Sequence, residues 1–203
     1  MSKGFLAVTT TIALLAIGSI ILAIGMRLRA PDQGNFDAPL EVLSEVQPFE
    51  LVDQDGQPFS SEKLEGKVCV VNFFFTQCEG LCPQLSEEMT ILQKRFARSL
   101  DFHLVSISAD PKNDTPENVS AFIAKHNIDT SNWTLLTGDE ETILRLMKDD
   151  FLVSTVVDPR LHSDRFLLLD RELKMRASYS MSDSSAMERL PRGVRRLIVE
   201  GRN

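Results

Sequence analysis

The stretch from Gly66 to Pro83, GKVCVVNFFFTQCEGLCP, constrains this chain more than any other. Val68 to Phe75 is an apolar run whose length and β-branched and aromatic content predict a strand buried on both faces. It stops at a polar turn carrying two cysteines, and a helical pattern begins at once. Leu85, Met89, Leu92 and Phe96 fall four, three and four apart on one stripe, with Glu87, Glu88, Gln93 and Lys94 elsewhere. Pro83 is tolerated in a first turn, where its missing N–H removes no helical hydrogen bond. Cys78 and Cys82 are therefore expected where a central strand hands over to a helix N-terminus. The amide donors and the helix dipole at such a point lower a thiol's pKa, and the thiolate is both nucleophile and metal ligand.

Two cysteines at i and i+4 lie on one face of a turn. That spacing suits two sulfurs converging on one soft metal ion, and it still allows a disulfide if the turn adjusts. A pair of inert buried cysteines is the plainer alternative. Glu79, Gly80 and Pro83 weigh against it, because they mark a turn and not a core segment. The sequence strand, Phe-Thr-x-Cys-x-x-x-Cys-Pro, helix resembles the Sco (synthesis of cytochrome c oxidase) family of membrane-tethered, thioredoxin-like copper proteins. The resemblance runs from Gln47 to Leu197 and includes the stretch Asp110-Pro111-Lys112-Asn113-Asp114-Thr115-Pro116 and the stretch Trp133-Thr134-Leu135-Leu136-Thr137-Gly138.

A chain of 203 residues, 43% hydrophobic and 25% charged, fits one ordinary domain plus an attachment. Gly4 to Met26 carries no charged residue. At about 1.5 Å per residue a helix there would reach about 34 Å, enough for a hydrocarbon core of about 30 Å. A signal peptide competes with this reading, but no Ala-x-Ala site follows the run. Residues 1–29 are thus expected to be an N-terminal membrane anchor, 30–46 a linker, and 47–203 a thioredoxin-like copper-binding domain. Lys3 faces Arg27 and Arg29 across the span, and with the amino terminus the positive-inside count is a tie. Only inference from the domain beyond, with its resemblance to membrane-tethered Sco proteins, breaks the tie: the expectation is a single pass in the inner (cytoplasmic) membrane, with the soluble domain on the periplasmic or outer side. Residues 1–29 hold three basic and no acidic residues, so the rest carries 19 basic against 29 acidic, a net charge of −10. That balance argues against nucleic acid as a partner and against adhesion of the domain to anionic lipid.

Asp55-Gly56 is a hairpin turn signal between Phe49–Val52 and Gln57–Ser60. Phe102–Ser108 reads as a second buried strand, and Thr115-Pro116-Glu117 as the cap and first turn of a helix reaching about His126. The Asp-Pro-x-x-Asp-Thr-Pro run is read as helix capping with no chemistry of its own. Trp133–Gly138 is a third strand, Asp139–Lys148 a third helix, and Phe166–Leu169 with Lys174–Tyr179 a closing hairpin around Asp170-Arg171-Glu172. Met187, Leu190, Val194 and Leu197 predict a last helix, weakened by Pro191 and Gly193. The fold class is α/β: a thioredoxin-like sheet with an N-terminal β-hairpin and helices on both faces, preceded by a single transmembrane helix. Cys69, inside the first buried strand, is read as a small hydrophobe.

Three histidines compete to complete the site. His126 closes a helix and is expected in solvent, and His103 lies in a strand. His162 sits in a turn, Asp158 to Asp164, running into the strand from Arg165. A lone loop histidine is ordinarily a surface residue, but the resemblance to His-Ser-x-x-x-x-Leu of Sco proteins implies that His162 is a third ligand. Two thiolates and an imidazole suit Cu(I), whereas structural zinc asks for four ligands. Asp158 or Asp164 would supply a fourth, so zinc is disfavoured and stays open. The expected function is a copper metallochaperone holding Cu(I) on Cys78, Cys82 and His162. The resemblance implies delivery to the binuclear copper site of cytochrome c oxidase subunit II. The alternative is a thiol–disulfide oxidoreductase whose redox pair, Cys78 and Cys82, reduces the cysteines of the copper-accepting partner. A thiol peroxidase fits poorly: the Pro-x-x-x-Thr-x-x-Cys pattern places Thr three before Cys, and Thr76 is two before Cys78.

Overall fold

The computed structural model describes residues 40–78, 80–153 and 163–200. The expected anchor, residues 30–39 of the expected linker, Asp158 and His162 lie outside them. Among the described residues the strands are β1 (Ser44–Glu45), β2 (Glu50–Asp53), β3 (Pro58–Ser60), β4 (Val68–Phe74), β5 (Phe102–Ser108), β6 (Trp133–Thr137), β7 (Arg165–Leu169) and β8 (Lys174–Ser180). The helices are α1 (Leu81–Phe96), α2 (Pro116–His126), α3 (Glu140–Arg145), continued by a π-helical turn over Leu146–Asp150, and α4 (Ser184–Glu200). No helix among the described residues is long and apolar enough to cross a membrane.

All eight strands form one sheet in the order β1-β8-β7-β4-β5-β6-β2-β3. Strands β4, β5 and β6 are parallel, and the pairs flanking them are antiparallel. Every residue of β4 is buried, as its unalternating sequence requires. Successive side chains still go to opposite faces. Val68, Val70 and Phe74 meet α1, α2 and α4 through Leu85, Met89, Val119, Phe122, Leu190 and Val194. Cys69, Val71 and Phe73 meet Ile143, Met147 and Phe151 on the other face, together with Phe49 and Leu51 from the hairpin strand. The expected hairpin is β2–β3: Asp53 Oδ1 accepts from the amides of Asp55 and Gln57, and Gly56 takes a left-handed φ of 73°.

One element departs from the sequence reading, and two expected elements are present in spite of residues that weigh against them. The linker was expected to reach Val46, yet β1 pairs with β8, and the Leu43 and Val46 amides donate to Met175 and Leu173 carbonyls. A two-residue strand is too short to show a period, so composition alone reads it as linker. The last helix runs unbroken from Ser184 to Glu200 with Pro191 inside it. Gly193 is there for space: a Cβ at that position would lie 2.5 Å from Tyr179 Oη and 3.0 Å from Leu168 Cδ2. The closing hairpin has no glycine, and Leu173 takes the left-handed position at φ 58°. Two forces hold it there. Leu173 is buried, and the buried Asp170 carboxylate accepts from the amides of Glu172 and Lys174 while pairing with Arg176 at 2.9 Å.

Parallel strands gather their outgoing loops at one edge, and in α/β sheets ligands bind at that edge. Here β4 delivers the cysteine turn to it and β5 delivers the Asp110–Thr115 loop. β7 starts from the same edge, because it runs antiparallel to β4 with Val71 opposite Leu167.

Candidate metal and redox site

Past Phe74 the chain turns through Phe75, Thr76 and Gln77, and the Cys78 amide closes the turn on the Phe75 carbonyl at 3.2 Å. Helix α1 begins at Leu81, with Gly80 as its N-cap residue and no side chain capping it. Sulfur takes that role. The Cys82 amide, one of the first-turn donors that lack a helical partner, points at Cys78 Sγ at 3.4 Å. Cys78 is half-buried, Cys82 is 4% exposed among the side chains of the helical face, and both are free thiols. The expected handover from strand to helix is therefore present, and both sulfurs belong to one turn.

The two thiols are not equivalent. The sequence predicts that a helix N-terminus lowers both pKa values, and at Cys82 the opposite holds. Burial pushes its thiol up to about 12, and the hydrogen bond that the Cys82 thiol donates to Cys78 and the charges of Cys78 and Asp114 act the same way. A backbone hydrogen bond from Phe75 opposes them and loses. The helix amide serves Cys78, and Cys82 lies among the packed side chains of the helical face. Cys69 is a third case. It is fully buried in β4, its pKa is raised to about 12 by burial, and its Sγ lies 3.7 Å from the Lys67 carbonyl. Alkylation of the native, reduced chain should label Cys78 first, Cys82 slowly and Cys69 only after denaturation. Mass-spectrometric mapping of early iodoacetamide adducts reads this, and early label on Cys69 would remove it from the sheet core.

Of the candidate histidines, His162 lies outside the described residues. His103 and His126 are at the far edge of the sheet from the cysteine turn. His103 is the second residue of β5, in register with Cys69, and its Nε2 is 2.9 Å from Thr134 Oγ1. His126 ends α2 with its ring centroid 4.3 Å from that of Phe122, so it is half-buried and not freely solvated. Asp164, weighed as a fourth ligand, is occupied by protein: its Oδ2 accepts from Ser180 Oγ and from the amide and hydroxyl of Ser182. Burial alone would raise its pKa, but those hydrogen bonds and Arg165 hold it below the usual value. Asp158 lies outside the described residues. Among the described residues no three His, Cys, Asp or Glu side chains converge as a metal site.

Burial, and then the charge of Lys67, pushes His103 down to about 4 from an ordinary 6.5. Between those values the unfolded chain binds a proton that the folded chain refuses, so stability rises with pH across that window. Nothing is lost above pH 6.5, and the whole penalty is present below pH 4. At about 1.4 kcal/mol per unit it amounts to about 3 kcal/mol at most, less the discount for partial exposure. His103→Gln should flatten this acid limb in urea titrations at pH 4.5 and 7.5. Equal acid sensitivity in the two proteins would assign the limb to other groups.

The SCO1/SenC family model matches residues 38–198. The chain belongs to that family. The SCO1 protein homolog of Bacillus subtilis is 35% identical over 142 residues, which are 67% of this chain and 74% of that protein. Among solved structures, a SCO1/SenC family lipoprotein from Bacillus anthracis superposes with a TM-score of 0.69 at 39% identity, covering 79% of this chain and 99% of that one. BsSco has the same TM-score at 31% identity, over 78% of this chain and 96% of its own. It is described as a Sco-family cytochrome c oxidase assembly protein in which a disulfide switch was identified. Yeast Sco1, solved with copper bound, shares the fold at a TM-score of 0.61 and 20% identity. These structures bear out the thioredoxin-like α/β fold expected from the sequence.

The residue that the sequence reading of this Sco protein missed is Asp114. It was absorbed into a capping motif, and the cap is indeed Thr115, whose side chain accepts from Asn118. Asp114 itself is 1% exposed and reaches the other way, into the cysteine turn. A carboxylate between a strand end and a capping threonine has no periodic signal of its own, so only tertiary structure reveals it.

Proposed function

We propose that this Sco protein is a copper metallochaperone that takes Cu(I) on Cys78, Cys82 and His162 and passes it to the binuclear copper site of cytochrome c oxidase subunit II. The observation that carries the reading is the Cys78–Cys82 turn: two soft donors in one turn at the strand-to-helix edge, one of them partly open to solvent. Thiolates and imidazole are the donors that Cu(I) prefers. The family supports copper as cargo and cytochrome c oxidase assembly as the context. A three-coordinate ion can leave by ligand exchange, because an incoming thiolate finds an open position. His162 is two residues before Asp164, and Asp164 is tied to Ser180 and Ser182 at the edge where β4 ends. The N-terminal apolar run would hold the domain to the periplasmic face of the inner membrane. The deciding experiment loads the reduced protein with Cu(I), removes loosely held metal with a competing chelator, and counts ions. One copper per chain is expected, and none would end the reading.

A second reading, thiol–disulfide exchange with the copper-accepting partner, is favoured by the inequality of the thiols. Exchange needs one accessible attacking sulfur and one resolving sulfur behind it. Cys78 and Cys82 are arranged in that order. Both readings use the same turn.

A further inference from the structure

Asp114 lies in the loop after β5, 38 residues from Thr76 in sequence and in direct contact with it. Its Oδ1 accepts from the Thr76 amide at 3.0 Å and from the Thr76 hydroxyl at 2.6 Å. Its Oδ2 accepts from Ser108 Oγ at 2.6 Å, and that hydroxyl accepts in turn from the Asp110 amide at 3.0 Å. Its carbonyl accepts from Thr137 Oγ1 at 2.6 Å. Asp114 therefore ties together the ends of β4, β5 and β6. No cation pairs with its carboxylate among the ion pairs of the described residues. A buried carboxylate held only by neutral donors is costly to install unless the groups it fixes matter. The group it fixes is the turn. Thr76 is two residues before Cys78, and the Cys78 amide closes on the carbonyl of Phe75, the residue before Thr76.

We propose that Asp114 is a positioning residue for the cysteine pair: by clamping Thr76 it holds the turn in its open dithiol arrangement and so sets the balance between dithiol and disulfide. Both cysteines are free thiols here, with Cys78 Sγ facing the Cys82 amide, whereas a disulfide draws the sulfurs in to about 2.05 Å, so the clamp on Thr76 is set to the free-thiol geometry. The hydrogen bonds to Thr76 therefore favour the dithiol, the form that holds a metal ion. Closure removes two electrons and two protons from the pair. Oxidised glutathione takes them and leaves as two glutathione thiols.

This rests on Cys78 and Cys82 being the working pair, and the parent protein tests that by itself. The full chain is equilibrated in glutathione buffers and the Cys78–Cys82 disulfide is quantified by mass shift after alkylation. A parent chain that forms no such disulfide at any ratio fails the pair and the clamp together. Given a parent midpoint, Thr76→Val removes the 2.6 Å bond with little change of shape, and Asp114→Asn removes the charge that strengthens both bonds to Thr76. Each should shift the equilibrium toward disulfide by roughly tenfold, as loss of a hydrogen bond to a charged group predicts. The double variant should fall well short of the product of the two shifts, because both act through one contact. Thr76→Ser should restore the parent value. Thermal unfolding is followed alongside. A variant that melts earlier but keeps the parent equilibrium makes Asp114 merely structural and overturns the proposal. Independent, multiplicative shifts overturn it too, because the effect would not then run through Thr76.

Discussion

Cys82→Ser should abolish copper retention by the reduced protein while leaving its fold in place. Serine nearly matches the volume of cysteine. The cost of the change is a buried hydroxyl among apolar side chains, about 1–3 kcal/mol, which a domain with two well-filled faces tolerates. The metal loses far more. A neutral hydroxyl is a hard, weak donor for Cu(I), and the exchange removes one of the two sulfurs that make the turn soft. Changes to groups that merely orient a ligand already cost about 10–100-fold in metal affinity, and loss of the ligand itself should exceed that. Cys78→Ser should act as strongly, and its oxygen can still accept the Cys82 amide. The measurement is copper per chain after passage over a chelating resin, with circular dichroism as the check on folding. One copper retained by Cys82→Ser would mean that the ion sits elsewhere.

How much of this was legible in advance follows from the range over which each signal acts. The β4-to-α1 handover is local: an apolar run, a polar turn and a 3.6-residue stripe all lie within one stretch, and the sequence expressed each. The closing hairpin and the Thr115 cap were local too. What failed was tertiary. β1 is visible only through its partner β8, and Gly193 only through Tyr179 packed against it. The same division runs through the site. Positions of the cysteines could be read from the pattern, but their acidity could not. A helix N-terminus promises easier ionisation. At Cys82 the neighbouring side chains desolvate the sulfur and reverse that promise. Asp114 was invisible for the same reason, since its partner Thr76 is 38 residues away.

His162→Ala should separate the two proposed activities, copper delivery and thiol–disulfide exchange, which would share the cysteine turn. As a ligand, His162 must be neutral and aimed at the sulfurs, so its loss leaves copper on two donors. Retention should then fall by more than the roughly 100-fold that marks the upper range for outer groups. Thiol–disulfide exchange asks only for two cysteines and an approach to Cys78. The variant is therefore expected to keep reversible Cys78–Cys82 disulfide formation, to lose copper against a chelator, and to fail in oxidase assembly in cells. Each alternative result assigns a different role. If assembly stays normal in His162→Ala while Cys78→Ser abolishes it, the turn works as a reductant and copper binding is incidental to it. If copper retention is unchanged in His162→Ala, the third donor is another residue, although the two sulfurs stand. If neither substitution affects the oxidase, the same soft turn serves a different copper or thiol client, because its chemistry depends on the sulfurs and not on who receives the ion.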